Sequence, residues 1–357
     1  MTTPNPIPLP TLSTFTQTTL NIPSATLTRH PKIEGDDHMI FTIAESPNHL
    51  LRVTKPRKDR PLTGTQMQKF DIAVRELVAS EYVSRRLDGD IIPRAVAHEV
   101  LSGDGVYAVS LETMLDGTGL CRGGLGEFLS ERTVGGLVEL MSVMKGVDIS
   151  GLEGRLRDLG VGFEVPFIPW PEIRGMRERA VIAWRRLVSR GQILAGDFGV
   201  TDGDEFEGLG ERKTAFIDRV KRPDEGVSRK VLIHNDIKGE HILVDSDGGI
   251  TGILDWADAG VGYPATDIAG LVLTVGMRLA VRIAREVGYN EDEVLQGLMQ
   301  ARCECVLRLD DRLNGDDEMT PVDLLKGQLV LSMEDCELVD YRIARDYDKV
   351  GLRHVID

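Results

Sequence analysis

The stretch that decides the fold runs from residue 231 to residue 245 and reads VLIHNDIKGEHILVD. Two apolar segments of β-strand type, 231–233 and 241–244, flank a short polar loop. A turn at 246–249 then leads into a third short strand at 250–255. Because helical periodicity dominates before and after this stretch, the pattern predicts a small β insert inside a mainly helical lobe.

Three side chains in and after this stretch are spaced for chemistry. Asp236 lies directly after an apolar strand, His241 starts the hairpin five residues later, and Asp255 stands at its far end. Acidic residues at such positions often only cap turns. The joint spacing instead favours one site, in which a divalent cation neutralises phosphates while Asp236 faces a hydroxyl. Phosphoryl transfer requires this set of groups.

The same stretch, with Leu254-Asp255-Trp256 and Pro264–Asp267, resembles the aminoglycoside phosphotransferase family, the antibiotic-kinase and choline-kinase branch of the protein-kinase-like fold. That family's signature is His-x-Asp, four residues, Asn, an apolar strand, then Asp-Trp or Asp-Phe and Pro-x-x-Asp. Residues 231–270 match it closely and residues 25–150 loosely. The resemblance implies an α+β, bilobal protein-kinase-like fold with a larger, mainly helical C-terminal lobe.

The resemblance also implies roles for individual residues. Asp236 would be the catalytic base and Asp255 the main metal-binding carboxylate. His234 would brace the catalytic loop, and Asp267 would tie that loop to the following helix. Lys238, two residues after the base, either reaches the transferred phosphate or is a solvated lysine.

One position departs from the family pattern. Where the family has Asn, this chain has His241. Because Mg²⁺ prefers oxygen ligands in octahedral geometry, an imidazole nitrogen is a poorer partner for it than an amide oxygen. We expect Asp255 and His241 to hold Mg²⁺, and the imidazole nitrogen makes Mn²⁺ the alternative.

The length of 357 residues fits two lobes of unequal size. β-prone segments, a helical stretch at 66–87 and a hairpin within 95–111 predict an N-terminal antiparallel sheet with one helix. We assign residues 1–24 to a flexible N-terminal arm and residues 25–113 to a nucleotide-binding lobe. Residues 114–357 then form the catalytic and substrate-binding lobe.

A basic residue on the third strand of kinase-like folds contacts the phosphates and pairs with a Glu on the next helix. Arg52 stands at that position, and Lys55 is the substitute if the register differs. The paired acid is Glu81, with Glu76 as the second choice.

Residues 109–117 resemble the hinge, where main-chain groups read the adenine edge. The carbonyl of Glu112 and the N–H of Met114 would do the reading, because we expect no other strand to pair with them. The loop at 33–38 has one glycine instead of G-x-G-x-x-G, and Asp255-Trp256-Ala257 replaces D-F-G. Both departures disfavour a protein kinase.

The net charge of the chain is −15, and −13 of it falls in residues 117–357. This excess argues against nucleic acid or anionic lipid as a partner. Acidic clusters at 310–311, 316–318 and 333–337 favour a cationic acceptor if they face the cleft. On outer faces, the same acids would only keep the protein soluble.

The four cysteines are too few and too scattered for a disulfide framework, and no apolar run approaches the ~20 residues that span a bilayer. The first 28 residues contain no Lys or Arg, which fits neither a secretory signal nor a transit peptide. We expect a cytoplasmic protein that binds neither membrane nor nucleic acid. Its oligomeric state stays open.

These features predict a small-molecule kinase that transfers the γ-phosphate of ATP, or of GTP, to a hydroxyl of an aminoglycoside-like or other amino-alcohol acceptor. A kinase for an uncharged sugar or macrolide hydroxyl stays open within this class. From another class, His241 and the glycine-poor loop keep open a catalytically impaired, kinase-like nucleotide-binding or scaffold protein. The presence of both Asp236 and Asp255 argues against that alternative.

Overall fold

The computed structural model describes residues 8–30, 38–54, 64–85, 91–102, 106–120, 129–158, 165–194, 229–317 and 320–333. Lys55, the loop at 33–37 and the acidic residues at 334–337 lie outside these ranges, as does the side chain of Glu81.

The N-terminal part is an antiparallel sheet backed by one long helix. Its strands are β1 (Leu27–Arg29), β2 (His38–Ile43), β3 (His49–Thr54), β4 (Ala95–Ser102) and β5 (Val106–Thr113). They are ordered β1-β2-β3-β5-β4, and α2 (Gly64–Arg85) connects β3 to β4 and packs against β5. Because side chains alternate along a strand, Leu51 and Leu111 enter an apolar core on one face, whereas Arg52 and Glu112 belong to the other.

Residues 9–20 are a helix, so the prediction of a flexible arm is wrong for this segment. Helix α1 (Leu9–Leu20) buries Leu12 and Phe15 in the apolar core on the outer face of the sheet. Pro8 and Pro10 stand at its start, where proline is tolerated because the first helical N–H groups have no intrahelical partner.

The C-terminal part is mainly helical. Its described helices are α3 (Glu131–Gly146), α4 (Ile149–Asp158), α5 (Ile173–Ser189), α6 (Ala265–Val275), α7 (Met277–Val287), α8 (Glu291–Asn314) and α9 (Val322–Ser332). Gly276, with a φ of 83°, separates α6 from α7, because glycine adopts this conformation without the steric cost that a Cβ would add. Helix α6 is apolar on nearly all sides and lies buried among its neighbours.

Short strands interrupt this helical part, as the sequence predicts. They are β6 (Thr118–Gly119), β7 (Val231–Ile233), β8 (Ile242–Val244), β9 (Ile250–Ile253) and β10 (Gly260–Gly262). Strand β7 pairs with β10, and β8 lies between β6 and β9. These two small sheets hold the loops on which the chemistry-bearing residues lie. The α+β architecture is therefore confirmed.

None of the helices in the described ranges combines the length and apolar character needed to cross a membrane. Apolar side chains from α2 join those of the C-terminal helices in one continuous core. This shared core links the helix behind the N-terminal sheet to the elements that carry the catalytic loop.

Candidate active site

The loop after β7 is tied to the first turn of α6. The carboxylate of Asp267 accepts the main-chain N–H of His234 at 2.9 Å and that of Asn235 at 2.8 Å. Asn235 has a φ of 64°, a left-handed conformation that turns the chain sharply toward Asp236. Burial raises the pKa of Asp267 to about 7, although the two N–H groups act in the opposite direction. Asp267 therefore lies where the sequence expects a tie between loop and helix.

His234 is fully buried beneath the loop. Its Nδ1 accepts the N–H of Asp236 at 3.3 Å, so Nε2 carries the proton and donates to the Leu254 carbonyl at 2.9 Å. The ring packs against Trp256 with the two centroids 4.5 Å apart. Burial, with the nearby His241, lowers the pKa of His234 to about 4. A neutral imidazole thus connects the catalytic loop to the strand end before Asp255.

Asp236 is a partly exposed carboxylate with two positively charged or polar neighbours. Lys238 Nζ lies 3.1 Å from its Oδ2, and His241 Nδ1 lies 3.5 Å from the same oxygen. Burial raises the pKa of Asp236, and Lys238 and His241 oppose that rise. The sequence analysis left Lys238 open as a phosphate contact or a solvated lysine, and here it lies beside Asp236.

His241 and Asp255 present two acceptor atoms to each other. His241 Nδ1 faces the main-chain carbonyl of Asp236 at 3.0 Å, which fixes the proton on Nδ1. In the neutral ring the Nε2 lone pair then points toward Asp255 Oδ2, 3.5 Å away. Asp255 has a φ of 60°, a left-handed conformation that aims its side chain at the loop.

These atoms fit a divalent cation. One donor atom each from Asp236, His241 and Asp255 lies within 4.8 Å of the other two. A lone pair facing a carboxylate is electrostatically unfavourable, and a cation between the two atoms would relieve the repulsion. A set of carboxylate oxygens and one imidazole nitrogen suits Mn²⁺ at least as well as Mg²⁺.

Arg52 connects this cluster to the N-terminal sheet. Its Nη1 lies 2.8 Å from Asp71 Oδ2 on α2, and its Nη2 lies 3.8 Å from Asp255 Oδ1. Nη2 also contacts His38 Nε2. Among the described side chains the acidic helix partner is therefore Asp71, which the sequence analysis did not single out, and Glu76 is exposed. The predicted pair with Glu81 lies outside the described side chains.

A second arginine completes a buried network of charges. Arg75 donates to both carboxylate oxygens of Glu112 at 2.9 and 3.0 Å and lies 2.9 Å from Asp71. Burial opposes ionisation of Glu112, but Arg75 and Arg52 outweigh it and lower its pKa. Burial likewise opposes the charge of Arg75, but the carboxylates of Asp71 and Glu112 outweigh it and raise its pKa. The pair Asp71 and Arg75, four apart within an apolar helix face, was the signal in the sequence.

The prediction that Glu112 and Met114 read adenine with main-chain groups is wrong. The N–H of Met114 donates to the Asn48 carbonyl at 2.8 Å. Glu112 is registered with Leu50 of β3, so its carbonyl belongs to the ladder of the sheet. The physical reason is that β3 runs alongside β5 to its last residue, so these main-chain groups do have a strand to pair with.

A cleft of about 470 Å³ opens beside Asp236. Its lining includes Lys238 from the loop, Gly270 from α6, and Glu304 and Arg308 from α8. None of the described members of the predicted acidic clusters, Asp310, Asp311, Asp316 and Asp317, is in this lining. Asp310, for example, faces Arg186 at 3.4 Å and hydrogen-bonds Asn314. Glu304 was missed, although its spacing of four residues from both Gln300 and Arg308 marks one helix face.

Comparison with known sequences places this site in a family. Residues 92–298, more than half of the chain, match the phosphotransferase enzyme family, APH. Viomycin phosphotransferase of Streptomyces vinaceus is 26% identical over 113 residues, which are 30% of this chain and 38% of that protein. The uncharacterized protein YcbJ of Bacillus subtilis (strain 168) is 53% identical over 36 residues, 10% of this chain and 12% of that one. The matches span well under two thirds of either relative.

Solved structures share the fold. The GDP complex of wild-type aminoglycoside 2'-phosphotransferase-IIIa has a TM-score of 0.54 at 16% identity and covers 94% of this chain and 99% of that chain. The GDP and kanamycin complex of APH(2")-IIia has a TM-score of 0.52, with the same identity and coverage. The protein-kinase-like architecture expected from the sequence is thereby confirmed. Since the family match also includes the catalytic loop, Asp255 and Asp267, the chain belongs to the phosphotransferase enzyme family, APH.

Proposed function

We propose that this protein transfers the terminal phosphoryl group of a nucleoside triphosphate to a hydroxyl of a small molecule bound in the cleft. One observation carries the proposal: Asp236 belongs both to the lining of the cleft and to the cluster with His241 and Asp255. A base for the acceptor and ligands for a cation on the nucleotide phosphates therefore meet at one residue.

The related proteins support this direction. The names of the relatives include viomycin phosphotransferase, and the structures with the same fold include complexes with GDP and with kanamycin. An aminoglycoside-like or other amino-alcohol acceptor is the corresponding proposal for this chain, with ATP or GTP as the phosphate donor.

Asp236 acts as the base in this proposal. Its carboxylate takes the proton of the acceptor hydroxyl while the acceptor oxygen bonds the γ-phosphorus and the bond to the nucleoside diphosphate oxygen breaks. Because burial raises the pKa of Asp236, the carboxylate is a stronger base than an exposed one. Lys238 Nζ, 3.1 Å from the base, supplies positive charge next to the phosphate that is transferred.

Other side chains position Asp236 and Asp255. His234 holds the main chain of Asp236, and Arg52 extends toward Asp255 from the sheet. Asp255 and His241 would hold the divalent cation, whose chemistry is to neutralise the negative charge of the phosphates. In this proposal Arg52 contacts the phosphates of the nucleotide, as the sequence predicts.

The test measures nucleotide consumption and product formation by phosphorus NMR over a panel of aminoglycosides, amino alcohols, macrolides and sugars. Asp236→Asn should lower kcat by about 10²- to 10⁴-fold, because it removes the general base but keeps the size of the side chain. Asp247→Asn is the matched control, since Asp247 is exposed in the turn between β8 and β9. Equal turnover by the Asp236 variant would refute this mechanism.

A protein that binds nucleotide and metal but turns over no acceptor would be the catalytically impaired alternative. Metal-dependent nucleotide binding at ~100 times Kd should raise the free energy of unfolding by roughly 2.7 kcal/mol. The comparison of ATP with GTP in the same measurement decides the nucleotide. A protein kinase would instead incorporate phosphate into protein.

Metal preference has its own test. We expect Mn²⁺ to support turnover at least as well as Mg²⁺, because His241 offers nitrogen where an amide would offer oxygen. His241→Asn should shift the ratio of Mg²⁺-dependent to Mn²⁺-dependent turnover toward Mg²⁺. Full turnover of the unmodified protein with Mg²⁺ and none with Mn²⁺ would contradict the expectation.

A further inference from the structure

One face of α8 supplies polar groups to the cleft that the loop after β7 also lines. Gln300, Glu304 and Arg308 are spaced four residues apart, and all three line the cleft. The loop contributes Asp236 and Lys238 to the same lining. A molecule in the cleft can therefore contact Asp236 and this helix face together.

Gln300 holds an acceptor atom that needs a donor. Its side chain is buried, with 3% of the residue exposed, and its Nε2 donates to Glu304 Oε1 at 2.8 Å. That bond fixes the orientation of the amide, so the Oε1 atom cannot turn to the same partner. Among the described residues this oxygen is buried without a hydrogen-bond partner. Leaving such an acceptor unsatisfied costs free energy, and a donor from a bound molecule would recover it.

Glu304 lies beside that oxygen and is largely buried. Burial raises the pKa of its carboxyl group, and Gln300 and Arg308 oppose the rise. Arg308 in turn donates to Gln328 of α9 at 3.3 Å, which ties its guanidinium to that helix. The part of the lining that α8 supplies thus contains the unpartnered amide oxygen of Gln300 and the carboxyl group of Glu304.

The charges of the described lining balance. Asp236 and Glu304 face Lys238 and Arg308, so the cleft offers no excess of negative charge. Lys238 already contacts Asp236, and Arg308 lies on the same helix face as Glu304. A ligand with several ammonium groups would bring positive charges to Lys238 and Arg308, which repel them.

Building on the proposed function, we propose that Gln300 and Glu304 select an acceptor with a single ammonium group. Gln300 Oε1 and the Glu304 carboxylate accept N–H bonds from that group, and the acceptor hydroxyl extends toward Asp236. The acceptor class is then a monoamino alcohol, and polycationic compounds are excluded by Lys238 and Arg308.

Matched pairs of probes test this selection by calorimetry on the full chain with Mg²⁺ and a non-hydrolysable nucleotide. The pairs are ethanolamine and ethylene glycol, serinol and glycerol, and glucosamine and glucose, with kanamycin as the polycation. We expect at least one amine to bind about tenfold or more tightly than its hydroxyl partner, the effect of a hydrogen-bonded charge. Kanamycin should bind more weakly than that amine.

Variants assign the preference to the helix face. Glu304→Gln should remove the preference for the amine while keeping nucleotide affinity, and Gln300→Leu should weaken it. Asp311→Asn, exposed on the same helix, is the matched control and should retain it. If no pair shows a preference, if kanamycin binds most tightly, or if Glu304→Gln leaves the preference intact, the selection is refuted.

The readout separates this inference from the proposed function. Amine preference without phosphoryl transfer would refute the proposed function and leave the selection standing. Phosphoryl transfer without amine preference would refute the selection alone.

Discussion

Two clusters of charged side chains lie on either side of Arg52 and differ in how they are paired. In the network of Arg52, Asp71, Arg75 and Glu112, side-chain exposure is between 3% and 10%, and each carboxylate accepts a charged N–H within 3.0 Å. In the cluster of Asp236, Lys238, His241 and Asp255, exposure is between 13% and 41%, and the contacts are 3.1 to 3.5 Å.

This difference separates structural from chemical roles. Buried charges paired at short distance are costly to disturb, because removing one leaves its partner unpaired in a medium of low dielectric constant. Longer contacts between partly exposed groups are weaker and more readily exchanged, as the proposed transfer of a phosphoryl group at this site would need. Arg52 belongs to the network and lies 3.8 Å from Asp255 of the other cluster, so the network sets the position of a group that faces this cluster.

The largest expected effect comes from removing a charge from the network. Arg75→Met leaves Asp71 and Glu112 without their shared guanidinium, and we expect the free energy of unfolding to fall by about 3–5 kcal/mol. Urea unfolding followed by circular dichroism measures it. Arg282→Met is the control, since Arg282 pairs with Glu131 and Glu286 on the surface and should have a smaller effect. Equal effects would show that the network is no more stabilising than a surface pair.

The cluster of Asp236, His241 and Asp255 was predictable from sequence, whereas the partners of Arg52 were not, for a physical reason. Asp236, His241 and Asp255 lie within one short stretch whose strands and turns fix their relative positions. Arg52 instead takes its partners from α2 and β5, and which residue of a helix faces a strand depends on packing that local spacing does not determine.

The other differences between the sequence predictions and the structure arise mainly at a strand end and a helix start. The N–H of Met114 is engaged because β3 accompanies β5 to its end, and the exact end of a strand is among the least certain features of a sequence. Helix α1 was missed because its start is rich in proline, although Leu12 and Phe15 have helical spacing. Glu304 is a single acid on α8, and spacing alone does not show which face of that helix lines the cleft.

The pH dependence of the free energy of unfolding tests the burial of His234. In the folded protein the pKa of His234 is about 4, below the ordinary value of 6.5. Between these two pH values the unfolded chain therefore binds a proton at His234 and the folded protein does not. Its contribution to stability is full above pH 6.5 and is lost as pH falls toward 4. Relative to His234→Gln, the unmodified protein should therefore lose up to about 3 kcal/mol over this window.

Asp267 changes the stability with pH in the opposite direction to His234, so its contribution must be subtracted from that measurement. Because its folded pKa is about 7, the folded protein retains a proton between pH 4 and 7 that the unfolded chain releases, so rising pH destabilises. Both proteins contain Asp267, and the difference between their unfolding free energies isolates His234. A flat difference curve between pH 4 and 6.5 would contradict the role of a buried, neutral His234.

The smallest change in stability should come from moving the catalytic loop without changing its charges. A Cβ at Gly270 would come within 2.4 Å of the Ile237 carbonyl oxygen, directly after Asp236. Gly270→Ala should cost about 1–3 kcal/mol through overpacking and lower kcat by about 10²-fold by displacing the base. Gly135→Ala on α3 is the control, because among the described residues no atom outside the adjacent backbone of its own helix lies within 4 Å of the added Cβ, and it should stabilise by about 0.5–1 kcal/mol. If Gly270→Ala kept full turnover, the position of the loop against α6 would not matter to the chemistry, and the loosely paired cluster would tolerate displacement as well as exchange.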